Sequence, residues 1–130
     1  MQEQAIQVHQ IVRVPYKSGQ YLAEVLEIMP PKATVKILAV QKHPDQGDLH
    51  HPMQGDVLMF HQRRALSFQE KIMVPLGTIQ PYQGEVPEYR GSLLLAVEQE
   101  LARLREMGGS WAERSVKELE ILQQEYAAQR

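Results

Sequence analysis

The chain has no cysteine in its 130 residues, and its apolar runs are short. The first absence excludes a disulfide framework, a thiolate metal site, a cysteine nucleophile and lipid attachment to cysteine. The second excludes a membrane-spanning segment, which needs roughly 18 consecutive apolar residues. The polar, glutamine-rich stretch from Met1 to Gln10 has no signal-peptide core. We therefore expect a cytoplasmic protein without direct membrane insertion.

The chain also lacks an excess of either charge. It has 14 Lys and Arg against 16 Asp and Glu, a formal net charge of −2, with both signs interspersed. Such a balance gives no general attraction to nucleic acid or to an anionic membrane, so neither is expected as a partner. The length suits one domain, or a small domain with an appendage, and is sufficient to bury a core.

Two common catalytic patterns are missing. No Gly-x-Ser-x-Gly sequence surrounds any serine, and no glycine-rich phosphate loop is present. The sequence therefore predicts neither a serine nucleophile nor a glycine-rich phosphate site, and it assigns no catalytic residue and no cofactor.

The first part of the chain is typical of a small antiparallel barrel. Short apolar segments, cut by Gly and Pro, predict strands at residues 11–14, 21–28, 33–40, 57–60, 71–74 and 78–79, and residues 61–68 extend the fourth. Close spacing of such strands favours a barrel over residues 1–82.

Residues 83–130 have a helical pattern instead. Apolar residues recur at spacings of three and four between Pro87 and Met107, where either Pro87 at the first position or Ser92 as the N-cap begins the helix. Gly108 and Gly109 end it. Ser110 then predicts a capping box for a second helix that runs to about residue 127. The short linker makes the two helices an antiparallel hairpin packed on the barrel.

A polar run at residues 43–56 contains three of the five histidines. Its Asp and His side chains, with a later histidine, suit a metal without thiolate ligands. This alternative set is His43, Asp48, His50, His51 and His61. The spacing matches no recognised metal signature, and a polar loop in which Asp45 and Asp48 cap turns is the simpler interpretation. A small metal-binding protein or metal-dependent enzyme remains an alternative.

A second alternative is a small-barrel module that binds single-stranded nucleic acid. Arg63 and Arg64 lie near Phe60, Phe68 and Lys71 in the sequence, and such modules combine basic and aromatic residues. Two arginines on a near-neutral chain are weak evidence, and a solvated strand face is the simpler interpretation.

Three stretches resemble the kinase-associated protein B family of spore-forming bacilli. They are VRVPYKSGQY at residues 12–21, VKILAV at residues 35–40 and HPDQGDLHHP at residues 43–52. Shorter matches follow at residues 81–82, 86–89, 111–113 and 125–126. The similarity covers roughly residues 10–126, and QGDLHHP is its most specific part.

The resemblance implies an α+β fold, in which a small SH3-like antiparallel β-barrel precedes the C-terminal helical hairpin. It also implies a non-catalytic accessory protein that supports a sporulation sensor histidine kinase in a phosphorelay. Membrane association would then come through the kinase. As the contact we expect the 46–52 segment, because function tends to lie on loops that a scaffold positions. Its predicted partner-binding residues are Gln46, Gly47, Asp48, His50, His51 and Pro52. The sequence leaves the oligomeric state open.

Overall fold

A computed structural model describes residues 5–47, 55 and 60–129. In this part of the chain, five strands precede two helices. The strands are β1 (Ile11–Tyr16), β2 (Gly19–Met29), β3 (Lys32–Lys42), β4 (Lys71–Pro75) and β5 (Gln80–Pro81). The helices are α1 (Tyr89–Met107) and α2 (Ser110–Ala128).

The strands form one antiparallel sheet in the order β4-β3-β2-β1-β5. Strands β1 to β4 are neighbours in chain order, and a single 3-10 turn, Leu76–Thr78, leads into β5. The last strand returns to the far edge, where Val12 pairs with Pro81 and Arg13 with Gln80. A four-strand meander closed by a fifth strand against the first is the SH3-like arrangement. The predicted α+β fold, a small SH3-like antiparallel β-barrel before a C-terminal antiparallel helical hairpin, is confirmed by the five-stranded antiparallel sheet and the two helices that follow it.

The long strands β2 and β3 form because their sequences are rich in β-branched and aliphatic residues. Their central residues, Val25 and Val35, pair directly and are fully buried. A two-residue turn at Lys17 and Ser18, both with positive φ, joins β1 to β2. Positive φ at both central residues is the geometry of the tight hairpin turn that matches strand twist.

Helix α1 packs on β3 of the sheet and α2 packs on α1, each through one apolar face. The buried apolar side chains are Leu93, Ala96, Val97, Leu101 and Leu104 on α1, and Trp111, Ala112, Leu119, Leu122 and Tyr126 on α2. They form one cluster with the buried strand residues. A direct bond also joins the two layers, since the Val40 amide donates to Ser92 Oγ at 3.0 Å. The predicted division into residues 1–82 and 83–130 stays a prediction.

Three predicted helix starts are wrong. Helix α1 begins at Tyr89 with Glu88 as N-cap, so neither Pro87 nor Ser92 begins it. Ser92 lies inside the helix, where its hydroxyl donates to the Tyr89 carbonyl at 2.7 Å. The predicted capping box is wrong because Ser110 is already helical and Gly109, with φ of 97°, is the N-cap. Neither helix start has a side-chain cap hydrogen bond, and the N-cap carbonyls of Glu88 and Gly109 accept from the Ser92 and Glu113 amides.

Two predicted strand segments also differ. Residues 78–79 fall in the 3-10 turn and the residue after it, and β5 follows at Gln80. Residues 61–68 form neither helix nor strand. Of the predicted strand at residues 57–60, only Phe60 is described, and it belongs to no regular element.

Candidate partner-contact site

The 46–52 segment begins at a fixed point. Gln46 and Gly47 are described and buried, whereas Asp48, Leu49, His50, His51 and Pro52 lie outside the described residues. The side chain of Gln46 is buried in this conformation, and the predicted contact of these residues with a partner stays a prediction.

Gln46 joins its own loop to the irregular segment at residues 60–66. Its side-chain amide donates to the carbonyls of Pro44 at 3.2 Å and Arg63 at 2.9 Å. Its Oε1 accepts the Arg63 backbone N–H at 2.8 Å. Since only 4% of the residue is exposed, these bonds satisfy an amide that would otherwise be buried without partners.

Trp111 links Gln46 to α2. The indole Nε1 donates to the Gln46 carbonyl at 3.1 Å, while the ring is part of the apolar core. A buried tryptophan needs such a partner for its N–H. Gln46 is therefore held by residues from two distant parts of the chain.

Gly47 requires glycine. Its φ is 103°, and a Cβ there would lie 3.0 Å from the ring of Phe60. Its amide donates to the His61 carbonyl at 2.9 Å, and its carbonyl accepts from Arg63 Nε at 2.9 Å. The backbone conformation at Gly47 is thus fixed by its φ angle and by these two hydrogen bonds.

Gly55, the next described residue, lies against the start of α2. A Cβ on it would approach the Ser110 carbonyl carbon to 2.5 Å, so the backbones are in close contact. Its carbonyl accepts from Arg114 Nη1 at 2.9 Å. Arg114 also lies over the Phe60 ring at 4.6 Å from the centroid. The loop is therefore held to the start of α2 at two points. Trp111 binds the Gln46 carbonyl, and Arg114 binds the Gly55 carbonyl.

His43 is a structural residue. Its side chain is fully buried, and both ring nitrogens are occupied. Nδ1–H donates to the Pro44 carbonyl at 3.0 Å, because a carbonyl can only accept. Nε2 then accepts from Tyr126 Oη at 3.0 Å, and that hydroxyl in turn accepts from the Ala65 amide at 3.0 Å. Burial lowers the pKa of His43 to about 4, so the ring is neutral near pH 7.

This geometry removes His43 from the alternative metal set, since it has no free ring nitrogen. His61 is exposed, and Asp48, His50 and His51 lie outside the described residues. Within the described ranges, no group of three or more His, Asp or Glu residues is arranged to hold a metal ion.

A charged network fixes the other side of the loop. Glu100, on α1, is only 5% exposed and accepts from Arg103 Nε and Nη2, each at 2.8 Å. Lys42 Nζ lies 3.7 Å from the same carboxylate and donates to Asp45 at 3.1 Å. Burial alone would raise the pKa of Glu100, but its bonds to Arg103 and the charge of Lys42 hold it below the usual value. The 43–47 stretch is thereby anchored to α1 as well.

The predicted nucleic-acid patch does not line one surface. Phe68 packs against Tyr89, with ring centroids 5.7 Å apart, and Phe60 lies under Arg114. Arg63 and Arg64 instead line a cavity with the β1–β2 turn.

Sequence reasoning located the loop but missed its anchors. Trp111 is part of the apolar core, and nothing in the sequence indicated that its N–H binds Gln46. For Tyr126, the sequence showed only a place in the helical pattern of apolar residues in the second helix. The available signal for such anchors was the presence of Trp and Tyr among the expected core residues, because a buried N–H or O–H needs a hydrogen-bond partner.

These features define a class of protein: an SH3-like sheet joined to a helical hairpin, with a polar loop anchored between them. The family model described as Kinase associated protein B matches residues 16–127. The chain is 47% identical over 116 residues to kinase-associated lipoprotein B of Bacillus subtilis (strain 168), covering 89% of this chain and 91% of the relative.

A solved structure gives the same result. The crystal structure of kinase-associated protein B from Bacillus cereus superimposes with a TM-score of 0.81 at 36% identity. The match covers 95% of this chain and 99% of that one. The chain belongs to the kinase-associated protein B family. No helix in the described residues has the length and hydropathy to cross a membrane.

Proposed function

We propose that this protein is a non-catalytic accessory protein that binds a sensor histidine kinase and supports its activation in a sporulation phosphorelay. Family membership supports a kinase partner, since the family and its relatives are described as kinase-associated. On this proposal the protein is cytoplasmic and reaches the membrane only through the kinase.

The observation that carries the proposed contact is the double anchoring of the loop. Gln46 is held by Arg63 and Trp111, and Gly55 is held against the start of α2. A loop fixed at both sides loses less conformational entropy on binding than a free one, which favours affinity. We therefore place the contact on Asp48, His50, His51 and Pro52, with Gln46 and Gly47 positioning them.

The mechanism follows from binding thermodynamics. A partner shifts a conformational equilibrium only by its difference in affinity for the two states. The protein would activate its kinase by binding the active state more tightly than the inactive state, without taking part in phosphoryl transfer.

The test begins with detergent-solubilised membranes of sporulating Bacillus cells. The full chain, Asp48→Ala/His50→Ala and Lys32→Ala are used as baits, and any histidine kinase recovered is identified by mass spectrometry. Lys32 is an exposed residue that begins β3, at the opposite end of that strand from Lys42, and serves as the matched control. Melting curves establish that all three proteins are folded.

Recovery of one histidine kinase by the wild type and Lys32→Ala, but not by the double variant, is the expected result. Equal recovery by all three would keep the kinase as partner and move the contact elsewhere. The purified kinase is then assayed for autophosphorylation, whose rate should rise with added protein. A kinase that binds without any change in rate would contradict the activating role.

A further inference from the structure

A cavity of about 320 Å³ opens beside the anchored loop. One wall is the β1–β2 turn and the other is the irregular segment at residues 62–70. The lining includes the side chains of Tyr16, Lys17, Arg63, Arg64 and Glu70. The cavity takes no part in the proposed kinase contact at residues 48–52.

Arg63 is the central cation of this cavity. Its Nε donates to the Gly47 carbonyl at 2.9 Å, which fixes the plane of the guanidinium group. Its backbone is held by Gln46 on both sides, through the N–H and the carbonyl. Within residues 5–47, 55 and 60–129, no acceptor engages its terminal amino groups. A fixed, half-buried guanidinium with free donors is prepared to bind a planar anion.

Lys17 supplies a second cation from the opposite wall. Its ammonium lies 5.3 Å from the centroid of the Tyr16 ring, and no carboxylate in the described part of the chain pairs with it. The turn that carries it is pinned to the loop, because Ser18 Oγ accepts the Asp45 amide at 2.9 Å. The backbone that carries Lys17 is therefore held to the same loop that Arg63 contacts.

The other two charged side chains that line the cavity each have a hydrogen-bond or ionic partner among the described residues. Arg64 forms an ion pair with Glu125 and lies over the Tyr126 ring. Glu70 accepts the Ser67 amide at 2.8 Å. Of the cations that line the cavity, Arg63 and Lys17 thus have no ionic partner among the described residues.

We propose that this cavity binds a carboxylate of an acidic protein segment. The Arg63 amino groups and the Lys17 ammonium would donate to the carboxylate, and the Tyr16 ring would contact the neighbouring apolar part of the segment. This inference stands on the cavity alone and does not depend on the identity of the kinase.

The surrounding carboxylates favour a single carboxylate over a polyanion. Glu70 lines the cavity itself. At its edge, Glu125 holds Arg64 and Glu118 accepts from the Gln62 side chain at 3.0 Å. A run of phosphates would meet more of the negative charge of these three carboxylates than a single carboxylate would.

The probe is the blocked tripeptide acetyl-Glu-Leu-Glu-amide, titrated into ¹⁵N-labelled full chain and followed by NMR. The uncharged acetyl-Gln-Leu-Gln-amide and a single-stranded oligonucleotide are titrated in parallel. Lys17→Glu is compared with Lys32→Glu, which makes the same change of charge at the exposed first residue of β3. Melting curves and unchanged spectra of the sheet establish that both variants are folded.

We expect saturable shifts at residues 16–17 and 62–64 with the acidic peptide. Lys17→Glu should weaken this binding about tenfold or more, the loss expected for one charge-assisted contact, while Lys32→Glu leaves it unchanged. Equal binding of the glutamine peptide, equal loss in both variants, or no binding would overturn the proposal. Tighter, steeply salt-dependent binding of the oligonucleotide would overturn it in favour of a polyanion site.

Discussion

The hairpin and the loop at residues 43–47 are stabilised in different ways. The helices pack through continuous apolar stripes, whose contacts are many and individually weak. The loop and its neighbour at residues 60–66 are held by a few polar side chains, each bonded to backbone groups. The first kind of region follows from residue periodicity. The second depends on single residues that are far apart in sequence.

The largest effect is expected in the hairpin core. Leu119 is fully buried on α2, so Leu119→Ala should lower the free energy of unfolding by about 4 kcal/mol through lost burial and a new cavity. Leu95→Ala is the matched control, because Leu95 is 54% exposed. Urea denaturation measures both. Similar losses in the two variants would show that the packing is not as described.

We expect acid to lower the free energy of unfolding through His43. Because its pKa falls to about 4 in the folded protein, the unfolded chain takes up a proton from pH 6.5 downward and the folded chain does not. Stability is fully present above pH 6.5 and should fall by about 3 kcal/mol as the pH approaches 4.

The pH dependence can be assigned by substitution. Urea denaturation across this range should give a flatter curve for His43→Gln than for the wild type. His61→Gln, which changes an exposed histidine, should keep the full dependence. The same slope in all three proteins would contradict a neutral, buried His43.

Loss of the Gln46 side chain should have a smaller effect. Gln46→Ala leaves the Arg63 amide and two carbonyls without their partner, which we expect to lower the free energy of unfolding by about 2 kcal/mol. Gln99→Ala, on the exposed side of α1, makes the same change where no hydrogen bond is lost. An unfolding midpoint in urea that is equal for both variants would contradict the anchoring role.

The smallest effect concerns one hydroxyl. Tyr126→Phe keeps the ring but removes the partner of His43 Nε2 and of the Ala65 amide, for an expected loss of about 1 kcal/mol. Tyr82→Phe removes an exposed bond to the Glu85 carbonyl and should change little. Thermal denaturation in parallel separates the two, and a larger loss in Tyr82→Phe would reverse the assignment.

The predictable part of the fold is the part with regular backbone bonds. Alternating β-branched residues identified β1 to β4, and the apolar stripes with Gly108 and Gly109 identified the hairpin. The two-residue strand β5 is too short for a pattern. The start of α1 has no side-chain cap, so no sequence signal indicates it.

The candidate site was predictable only in outline. The polar run at residues 43–56 indicated a loop, and the resemblance drew attention to residues 46–52. The burial of Gln46 was not predictable, because its partners Arg63 and Trp111 lie 17 and 65 residues away. Likewise, nothing near His43 in the sequence indicated that Tyr126 would bind its ring.

Native-state hydrogen exchange of the Arg63 and Gly47 amides tests the central claim, that side chains anchor this loop. The Arg63 amide donates to Gln46 Oε1, and the Gly47 amide donates to the His61 carbonyl. Both bonds join the loop to residues 60–66. We predict that both are protected in the wild type and that Gln46→Ala exposes Arg63 to exchange while the β2–β3 ladder stays protected. Rapid exchange at both amides in the wild type would contradict the account.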